Sequence, residues 1–488
     1  MCGRGEDVKT ILLNVTPEET RMVMTEDGRL TEMEVERPAH SHLVGNIYKG
    51  RVQNVLPGMQ AAFVDIGQKK NAFLYLGDGV SSDGRRSGGA EKFSVGQSVM
   101  VQVVKDAVGT KGPRVTTRIS LPGRNIVLMP TADYIGMSRR IAEEEERERL
   151  HEVAQEICPA GMGLIIRTLA AGQDRDSLEA DVSYLLRLWE SLCARERVLA
   201  APALLYRAAD MAIRVARDLM TEEVERLIVD DADTYRRVGE LVSYISPALE
   251  KRVVLYEGNT PLFREYGAAE EVDALTDREV ELPSGSFLVI DRTEALTVID
   301  VNTGKFVGDA NLSDTVYRAN MEAAEEILRQ LRLRDIGGII IVDFIDMETE
   351  EQKDGLLAFL RERAKTDRIK TNIVGITPLG LVEITRKKSR RNFESLLYSD
   401  CPYCHGSGRV ESPETVAIRI CRDIRRIEER SHAAFGYEVE VHETVAYALM
   451  DSSLVERLSA ELGVKVGFVI KPGMHPESYA ILQRGNGH

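Results

Sequence analysis

The sequence predicts a multidomain α/β protein with an all-β barrel inserted into it. Three observations carry this. Short β-rich runs recur between Asn46 and Pro122, broken by Pro57-Gly58 and Gly77–Gly79, which suits a small Greek-key barrel of the OB type. From Gly285 to Thr385 the order is strand, strand, helix, strand, helix, strand, an α/β layer. The 488 residues, 43% hydrophobic and 29% charged, can bury several cores and make about three to four folded units.

The elements follow in order. Ile11–Val35 reads as a hairpin turning at Asp27-Gly28, too small to stand alone, so a later partner is expected. The barrel strands are Ile47–Val55, Ala61–Ile66, Ala72–Leu76, Ser98–Lys105 and Val115–Ser120, with a polar, mobile loop at Ser81–Gly89. Ile126–Met129 and Gly163–Thr168 read as strands. Ser138 is a candidate cap for a charged helix running to Ile157. Asp176–Arg195 keeps helical spacing through Leu178, Val182, Leu185, Trp189 and Leu192. Asp210–Asp277 alternates helix and strand and suits the N-terminal hairpin as partner. In the α/β layer the strands are Ser286–Ile290, Ala295–Val301, Gly338–Phe344, Val374–Ile376 and Leu381–Thr385, and the helices Ser313–Leu333 and Glu351–Thr366. A helix at Pro413–Glu429 then leads to strand, helix and strand ending at Lys471.

The formal net charge is −15, which by itself argues against nucleic acid, since phosphate needs local positive charge. Acidic helices such as Glu143–Glu148 can hide basic clefts, so patches weigh more than the total. The cysteines stand at 2, 158, 193, 401, 404 and 421, scattered as in a reducing compartment. Met1 to Thr10 is polar, so no secretory signal is expected. Apolar stretches such as Ile339–Val342 are too short to cross a bilayer. A soluble, cytoplasmic protein is expected.

Chemistry concentrates in the α/β layer. Leu296-Thr-Val-Ile-Asp300-Val-Asn302 and Gly338-Ile-Ile-Ile-Val-Asp343-Phe-Ile-Asp346 are apolar strands ending in acids. Runs this dense read as central strands covered on both faces. An acid at the C-terminal end of such a strand lies at the crevice where α/β folds place ligands. If the strands are neighbours, their carboxylates repel, and a divalent cation relieves that; Mg²⁺ commonly takes one or two carboxylates and keeps several waters. Such an ion activates water or stabilises phosphoryl oxygen. Asn302 could orient a phosphate or a metal-bound water, and Asp346 lies off the metal. The bland alternative is that strand-end acids are helix caps or solvated loop residues. Chemistry alone gives a divalent metal and a phosphate substrate, not RNA.

Other segments are weaker. Phe63, Phe73 and Tyr75 lie on barrel strands, Phe73 and Tyr75 on one face. They are either barrel core or a stacking surface for bases, with Lys49, Arg51, Lys69, Lys70 and Lys111 to hold phosphates. Arg167-Thr168 is either a solvated strand end or a clasp for a terminal phosphate. Cys401-Pro-Tyr-Cys404 offers two of the four ligands of structural zinc; His405 is a candidate third, and a second chain can supply the rest. A redox pair would normally open a helix, whereas Gly406 and Gly408 follow here. Zinc shared across a two-fold axis fits best and predicts at least a homodimer. The basic run Arg386-Lys387-Lys388-Ser-Arg390-Arg391 is either a solvated face or a grip on RNA backbone across the dimer.

The stretches Ile299-Asp-Val-Asn-Thr-Gly304, Asn320-Met-Glu-Ala-Ala-Glu-Glu-Ile, Leu331-Arg-Leu-Arg-Asp-Ile-Gly-Gly and Val342-Asp-Phe-Ile-Asp-Met347 together resemble the catalytic domain of the ribonuclease E/G family. The likeness runs from the N-terminal hairpin past the cysteine pair and weakens after about residue 415. It implies an RNase H-like domain (1–40 and 213–278) interrupted by an S1 RNA-binding domain (41–121) and a 5′-sensor (122–212). A DNase I-like catalytic domain (279–397), a zinc link (398–412) and a small C-terminal α/β domain (413–488) follow. It implies Mg²⁺ on Asp300 and Asp343 with Asn302 in support, and Zn²⁺ on Cys401 and Cys404 between chains, in a homodimer or tetramer. Phe63, Phe73 and Lys111 would bind RNA. Gly123, Val127, Arg167 and Thr168 would sense a 5′-monophosphate. Lys370 stands where the family has a further sensing arginine, keeping the charge but losing the fork. The implied reaction is hydrolysis of single-stranded, A/U-rich RNA to a 5′-phosphate and a 3′-hydroxyl, with rRNA precursors and mRNA as substrates. The chain ends at His488 without the long scaffold tail of ribonuclease E, which favours the ribonuclease G type. An RNA-binding or ribosome-associated adaptor would leave the aspartates idle, and a metal-dependent phosphatase or DNase would leave the barrel idle.

Overall fold

The computed structural model describes residues 8–37, 43–76, 93–107, 111–304, 312–388, 397–399, 401–404, 406–431, 436–451 and 453–484. The Ser81–Gly89 loop, His405, Ser389, Arg390 and Arg391 lie outside the described residues. Two compact units divide the chain, 1–393 and 394–488. Among the described residues no helix is long and apolar enough to cross a membrane.

The N-terminal segment is a three-stranded meander, Lys9–Val15, Thr20–Glu26 and Arg29–Glu36, rather than one hairpin. Asp27 (φ 51°) and Gly28 (φ 77°) turn the last pair with both residues at positive φ, which is why Asp-Gly stands there. Its partner is the one expected: Lys9–Val15 pairs in parallel with Val224–Val229, which pairs in parallel with Val253–Leu255. Ile11 and Leu13 pack with Leu227, Val229, Val215 and Val238. Asp210 and Asp231 cap the two helices of this region through Ile213 N and Thr234 N.

The barrel is closed. Ile47–Leu56, Ala61–Asp65, Ala72–Tyr75, Arg114–Thr116 and Ser98–Lys105 follow one another, and the last pairs back onto the first. Ala62, Val64, Ala72, Leu74, Val101 and Val115 fill it. Ala203–Tyr206 adds a sixth strand against Ile47–Lys49.

Residues 121–166 form a four-stranded sheet backed by the helices Glu144–Ile157 and Arg175–Val198. Two expectations change here. The first helix begins at Glu144 after Glu143, so Ser138 does not cap it; its hydroxyl instead meets the Thr168 hydroxyl at 2.9 Å. The strand from Gly163 ends at Ile166, and Thr168 opens a 3₁₀ turn.

The last sheet of this unit runs Glu279–Glu281, Phe287–Arg292, Leu296–Asn302, Gly338–Asp343, Val382–Arg386, Thr371–Ile376. Its first edge strand was not foreseen. Helices Leu312–Leu333 and Glu350–Ala364 cover one face, where Ile299, Val301, Ile340, Val342 and Ile384 meet Ala323, Ile327, Leu356 and Leu360. The other face is open among the described residues, with Ile339 51% and Val374 50% exposed. The strands are thus covered on one face, not both; the apolar residues on the other face are available to a ligand.

In the second unit, helices Pro413–Ser431, Glu443–Asp451 and Leu454–Leu462 pack on a three-stranded sheet. Gly436–Val441 is its centre, parallel to Lys465–Ile470 and antiparallel to Tyr479–Arg484, a strand beyond those expected.

Candidate active site

Leu296–Asn302 and Gly338–Asp343 are adjacent and parallel, with Asp300 opposite Asp343. Parallel neighbours lie about 4.8 Å apart and side chains alternate, so both carboxylates emerge side by side on the open face. Both are exposed, while Ile299, Val301 and Val342 between them are buried. Asn302 shares that face, and its Nδ2 donates to Asp300 Oδ2 at 3.0 Å. The amide therefore restrains the carboxylate through Oδ2.

Two devices set the strand ends. Gly304 has φ 55°, and a Cβ there would stand 2.4 Å from the Gly285 carbonyl oxygen, so the turn after Asn302 needs glycine. Asn320, fully buried on the covering helix, donates to Ile345 O (2.7 Å) and accepts from Ile345 N (3.0 Å). This clamp fixes the chain just after Asp343. Its role was missed, although an asparagine on the core side of an amphipathic helix is a readable signal. Asp346 is exposed, beyond the strand end.

Among the described residues no three or more His, Cys, Asp or Glu side chains are grouped to hold a metal. Two adjacent carboxylates plus an amide still suit Mg²⁺, which keeps several waters.

On the barrel, Phe63 and Phe73 face each other across neighbouring strands. Their rings meet edge to face with centroids 6.0 Å apart. Both are half-buried on the outer face with Tyr75, while Ala62, Val64, Ala72 and Leu74 point inward. They are therefore not barrel core. Lys111 is exposed and begins the segment whose Pro113 carbonyl accepts from Phe73 N at 2.7 Å. Lys49 Nζ is held by Glu196 O (2.6 Å), whereas exposed Arg51 gives only Nη2 to Ala201 O (3.0 Å).

Arg167, Thr168, Gly123 and Val127 come together. Arg167 Nη1 donates to Gly123 O (2.6 Å) and Asp218 Oδ1 (2.7 Å). Asp218 also takes both Arg217 donors at 2.8 Å. Burial works to raise the Asp218 pKa, but Arg217 and Arg167 overcome it and hold the carboxyl below its ordinary value. Gly123 lies against Asp181, whose carboxylate accepts from Arg124, Asn125 and Ile126 backbone N–H groups. Burial pushes the Asp181 pKa up despite those three donors. Val127 lies on the adjoining strand, opposite Ile165.

Lys370 lines a cavity of about 390 Å³ with Gly338, Ile339, Asn372, Thr385, Arg386 and Lys387, on the sheet that carries the aspartates. Three residues earlier, the Asp367 carbonyl accepts from Arg140 Nη2, on the segment whose Ser138 hydroxyl meets Thr168. Arg386 is no member of an exposed basic run. It is 2% exposed and binds Asp367 Oδ2 (2.8 Å), Asp335 Oδ1 (3.1 Å) and Ile336 O (3.0 Å).

In the second unit, backbone N–H groups of Cys404 and Tyr403, with the Cys404 thiol, hold the exposed Cys401 thiol below its ordinary pKa. Such a turn suits a soft cation on paired thiolates. His475 stacks on Tyr403 (centroids 5.5 Å apart, planes 27°) and its Nε2 lies 2.7 Å from Tyr403 O.

A sequence profile of the Ribonuclease E/G family matches residues 120–389. Ribonuclease G of Salmonella typhimurium (strain SL1344) is 42% identical over 484 residues, 97% of this chain and 99% of that protein. Ribonuclease G of Haemophilus influenzae is 43% identical over 431 residues, 86% of this chain and 88% of that protein. Ribonuclease E of Escherichia coli (strain K12) is 33% identical over 498 residues, 98% of this chain but 46% of that protein. The chain belongs to the ribonuclease E/G family. Within it, identity and mutual coverage assign the chain to the ribonuclease G type.

Proposed function

We propose that this protein is a Mg²⁺-dependent endoribonuclease acting on single-stranded RNA. The observation that carries the reading is the register match of Asp300 with Asp343 on an open sheet face, in a chain whose relatives are ribonucleases. Asp300 and Asp343 would hold the ion and Asn302 keeps Asp300 aimed at it. Bound there, Mg²⁺ supplies charge neutralisation and activation of water for displacement at phosphorus. The open face receives the strand, and its half-exposed apolar residues pack against bases. The products would carry a 5′-phosphate and a 3′-hydroxyl.

The same reading gives the other groups work. Phe63 and Phe73 stack bases and Lys111 binds phosphate. Arg167 has Nη1 committed to Gly123 and Asp218, and turns its remaining donors to a 5′-phosphate beside Thr168. Cys401 and Cys404 would bind Zn²⁺ with the same pair of a second copy, giving a homodimer or a tetramer. In this account residues 1–40 and 213–278 are RNase H-like, 41–121 an S1 domain, 122–212 a 5′-sensor, 279–397 DNase I-like, 398–412 the zinc link and 413–488 the small domain. A/U-rich rRNA precursors and mRNA in the cytoplasm would be the substrates.

The test is incubation of the protein with a 5′-monophosphorylated single-stranded RNA, in Mg²⁺ and in EDTA. Internal cleavage in Mg²⁺ alone is expected. Cleavage that persists in EDTA removes the metal from the account, and no cleavage in either favours an RNA-binding adaptor.

A further inference from the structure

The hairpin at the second edge of the catalytic sheet has no task in the account above. Val382–Arg386 is antiparallel both to Gly338–Asp343 and to Thr371–Ile376, so the turn at 377–381 lies at the sheet end that carries the aspartates. Val342 pairs with Val382, and one residue beyond that pair stand Asp343 and Leu381. Val382 and Ile384 are buried under the helices, so alternation turns Leu381 to the open face, one strand spacing of about 4.8 Å from Asp343. Leu381 is half-buried, and Leu379 at the tip is 84% exposed. The turn that carries them is tightly held. Gly380 N donates to Thr377 O (2.9 Å) and Thr377 N to Leu381 O (2.8 Å). Thr377 Oγ1 accepts from Leu379 N (3.3 Å) and Leu381 N (3.2 Å). Pro378 fixes its own φ, and Gly380 takes φ 86°. Residues 376–382 carry no charged side chain. A single exposed leucine is ordinary on a protein surface. This one is held out by four hydrogen bonds, a proline and a positive-φ glycine, with a second leucine two residues away beside Asp343.

We propose that the Thr377–Leu381 turn is a nucleobase subsite, in which Leu379 and Leu381 receive the face of a base next to the scissile phosphate at Asp300 and Asp343. The proposal rests on the reading of the chain as an RNA-cleaving enzyme. The turn does not suit phosphate, since it has no cation and its leucines cannot replace the water that a charged group loses. It suits a base, which offers an apolar face and keeps its polar edges in water. Only an unstacked base exposes that face, so the turn favours a single strand over a duplex at the bond to be cut. Contact with a face rather than an edge is sequence-tolerant: it sets the position of the strand, not its sequence.

The experiment is single-turnover cleavage, in Mg²⁺, of one 5′-monophosphorylated single-stranded RNA whose cleaved bond has been mapped with the wild-type protein. The same RNA is also made abasic at the nucleotide on either side of that bond, one at a time. Full-length wild type, Leu379→Ala, Leu381→Ala and Leu379→Phe are compared, with thermal melts to show that each is folded. Each alanine variant should cleave the intact RNA about 5-fold or more slowly. One of the two abasic RNAs should slow the wild type by a similar factor and the alanine variants no further, because base and side chain act as a pair. Leu379→Phe should match or exceed the wild-type rate on intact RNA. Alanine variants that slow all three RNAs equally would overturn the subsite and make the turn a support for Asp343. Unchanged rates on intact RNA would also overturn it, leaving an ordinary surface leucine or a protein contact. Both of those results leave the RNA-cleaving reading standing. A wild type that cleaves no RNA would overturn that reading and the subsite with it.

Discussion

Asp300 and Asp343 occupy one register position on adjacent parallel strands, both on the uncovered face of the sheet. Neither reaches far: each is a short side chain on a paired strand, backed by buried Ile299 and Val342. Their separation is therefore set by the sheet, not by loop motion. Asn302 restricts the one soft torsion of Asp300 by donating to Oδ2.

Asn302→Ala removes that restraint without touching the strand pairing. Cleavage in saturating Mg²⁺ should fall about 10- to 100-fold, the usual effect of losing a residue that orients a ligand. RNA affinity measured in EDTA should not change. Equal rates for variant and wild type would show that the amide does nothing for the reaction.

Phe63→Ala and Phe73→Ala should each cost about 1–3 kcal/mol of RNA affinity while leaving the melting temperature nearly unchanged, because both rings lie outside the barrel core. The rings touch, so the double variant should lose less than the sum. A drop of many degrees in melting temperature with intact RNA binding would make the rings structural.

Gly123→Ala puts a methyl 2.5 Å from Asp181 Oδ1 and must displace the loop whose carbonyl steadies Arg167. The preference for a 5′-monophosphate over a 5′-hydroxyl should collapse toward unity, while cleavage of the 5′-hydroxyl RNA stays as before. A retained preference would remove this loop from end recognition.

Arg386 and Asp367 form a buried pair beneath the catalytic sheet. Burial works to raise the Asp367 pKa, but Arg386, the Ile369 N–H and the Thr371 hydroxyl prevail, and the folded value lies below the ordinary one. The contribution of the pair is therefore full above the unfolded pKa near about 3.9 and is lost as pH falls through the lower folded value. Asp367→Asn should cost about 3 kcal/mol at neutral pH, since it leaves a buried guanidinium short of one partner. Denaturant melts of wild type and variant should begin to draw together only below about pH 4 and meet once the pH is under the lowered folded value. A gap that holds constant into acid would show that the charge is irrelevant.

Cys401→Ser and Cys404→Ser should each abolish bound zinc and shift the protein to monomer in sedimentation. The wild type should carry about half an equivalent of zinc per chain. One full equivalent per chain would rule out sharing between copies.

Much of this was readable in advance, for physical reasons that differ by site. The barrel strands were legible because small barrels alternate strictly. The same alternation sorts Phe63 with Asp65 and against Ala62 and Val64, so the outward placement of the ring was already in the sequence. Likewise Val382, Ile384 and Arg386 share a parity, which puts Arg386 in the core despite its basic neighbours. The open sheet face was not legible. Ile339 and Ile341 look like core on composition, and only the placement of helices decides which side is covered. Nor were the partners of Lys49 and Arg51, which come from residues 196 and 201, over 145 positions away. The buried place of Asn320 is readable from its helix face, but its partner Ile345, 25 residues away, is not.

The central claim is that Asp300 and Asp343 together hold the metal that cleaves RNA. Its most direct measurement is the single-turnover cleavage rate of Asp343→Asn beside wild type across a Mg²⁺ titration, with RNA affinity determined in parallel. The account predicts a rate lower by at least about 100- to 1000-fold, not restored by excess Mg²⁺, with RNA affinity unchanged. Cleavage by Asp343→Asn at the wild-type rate would contradict it.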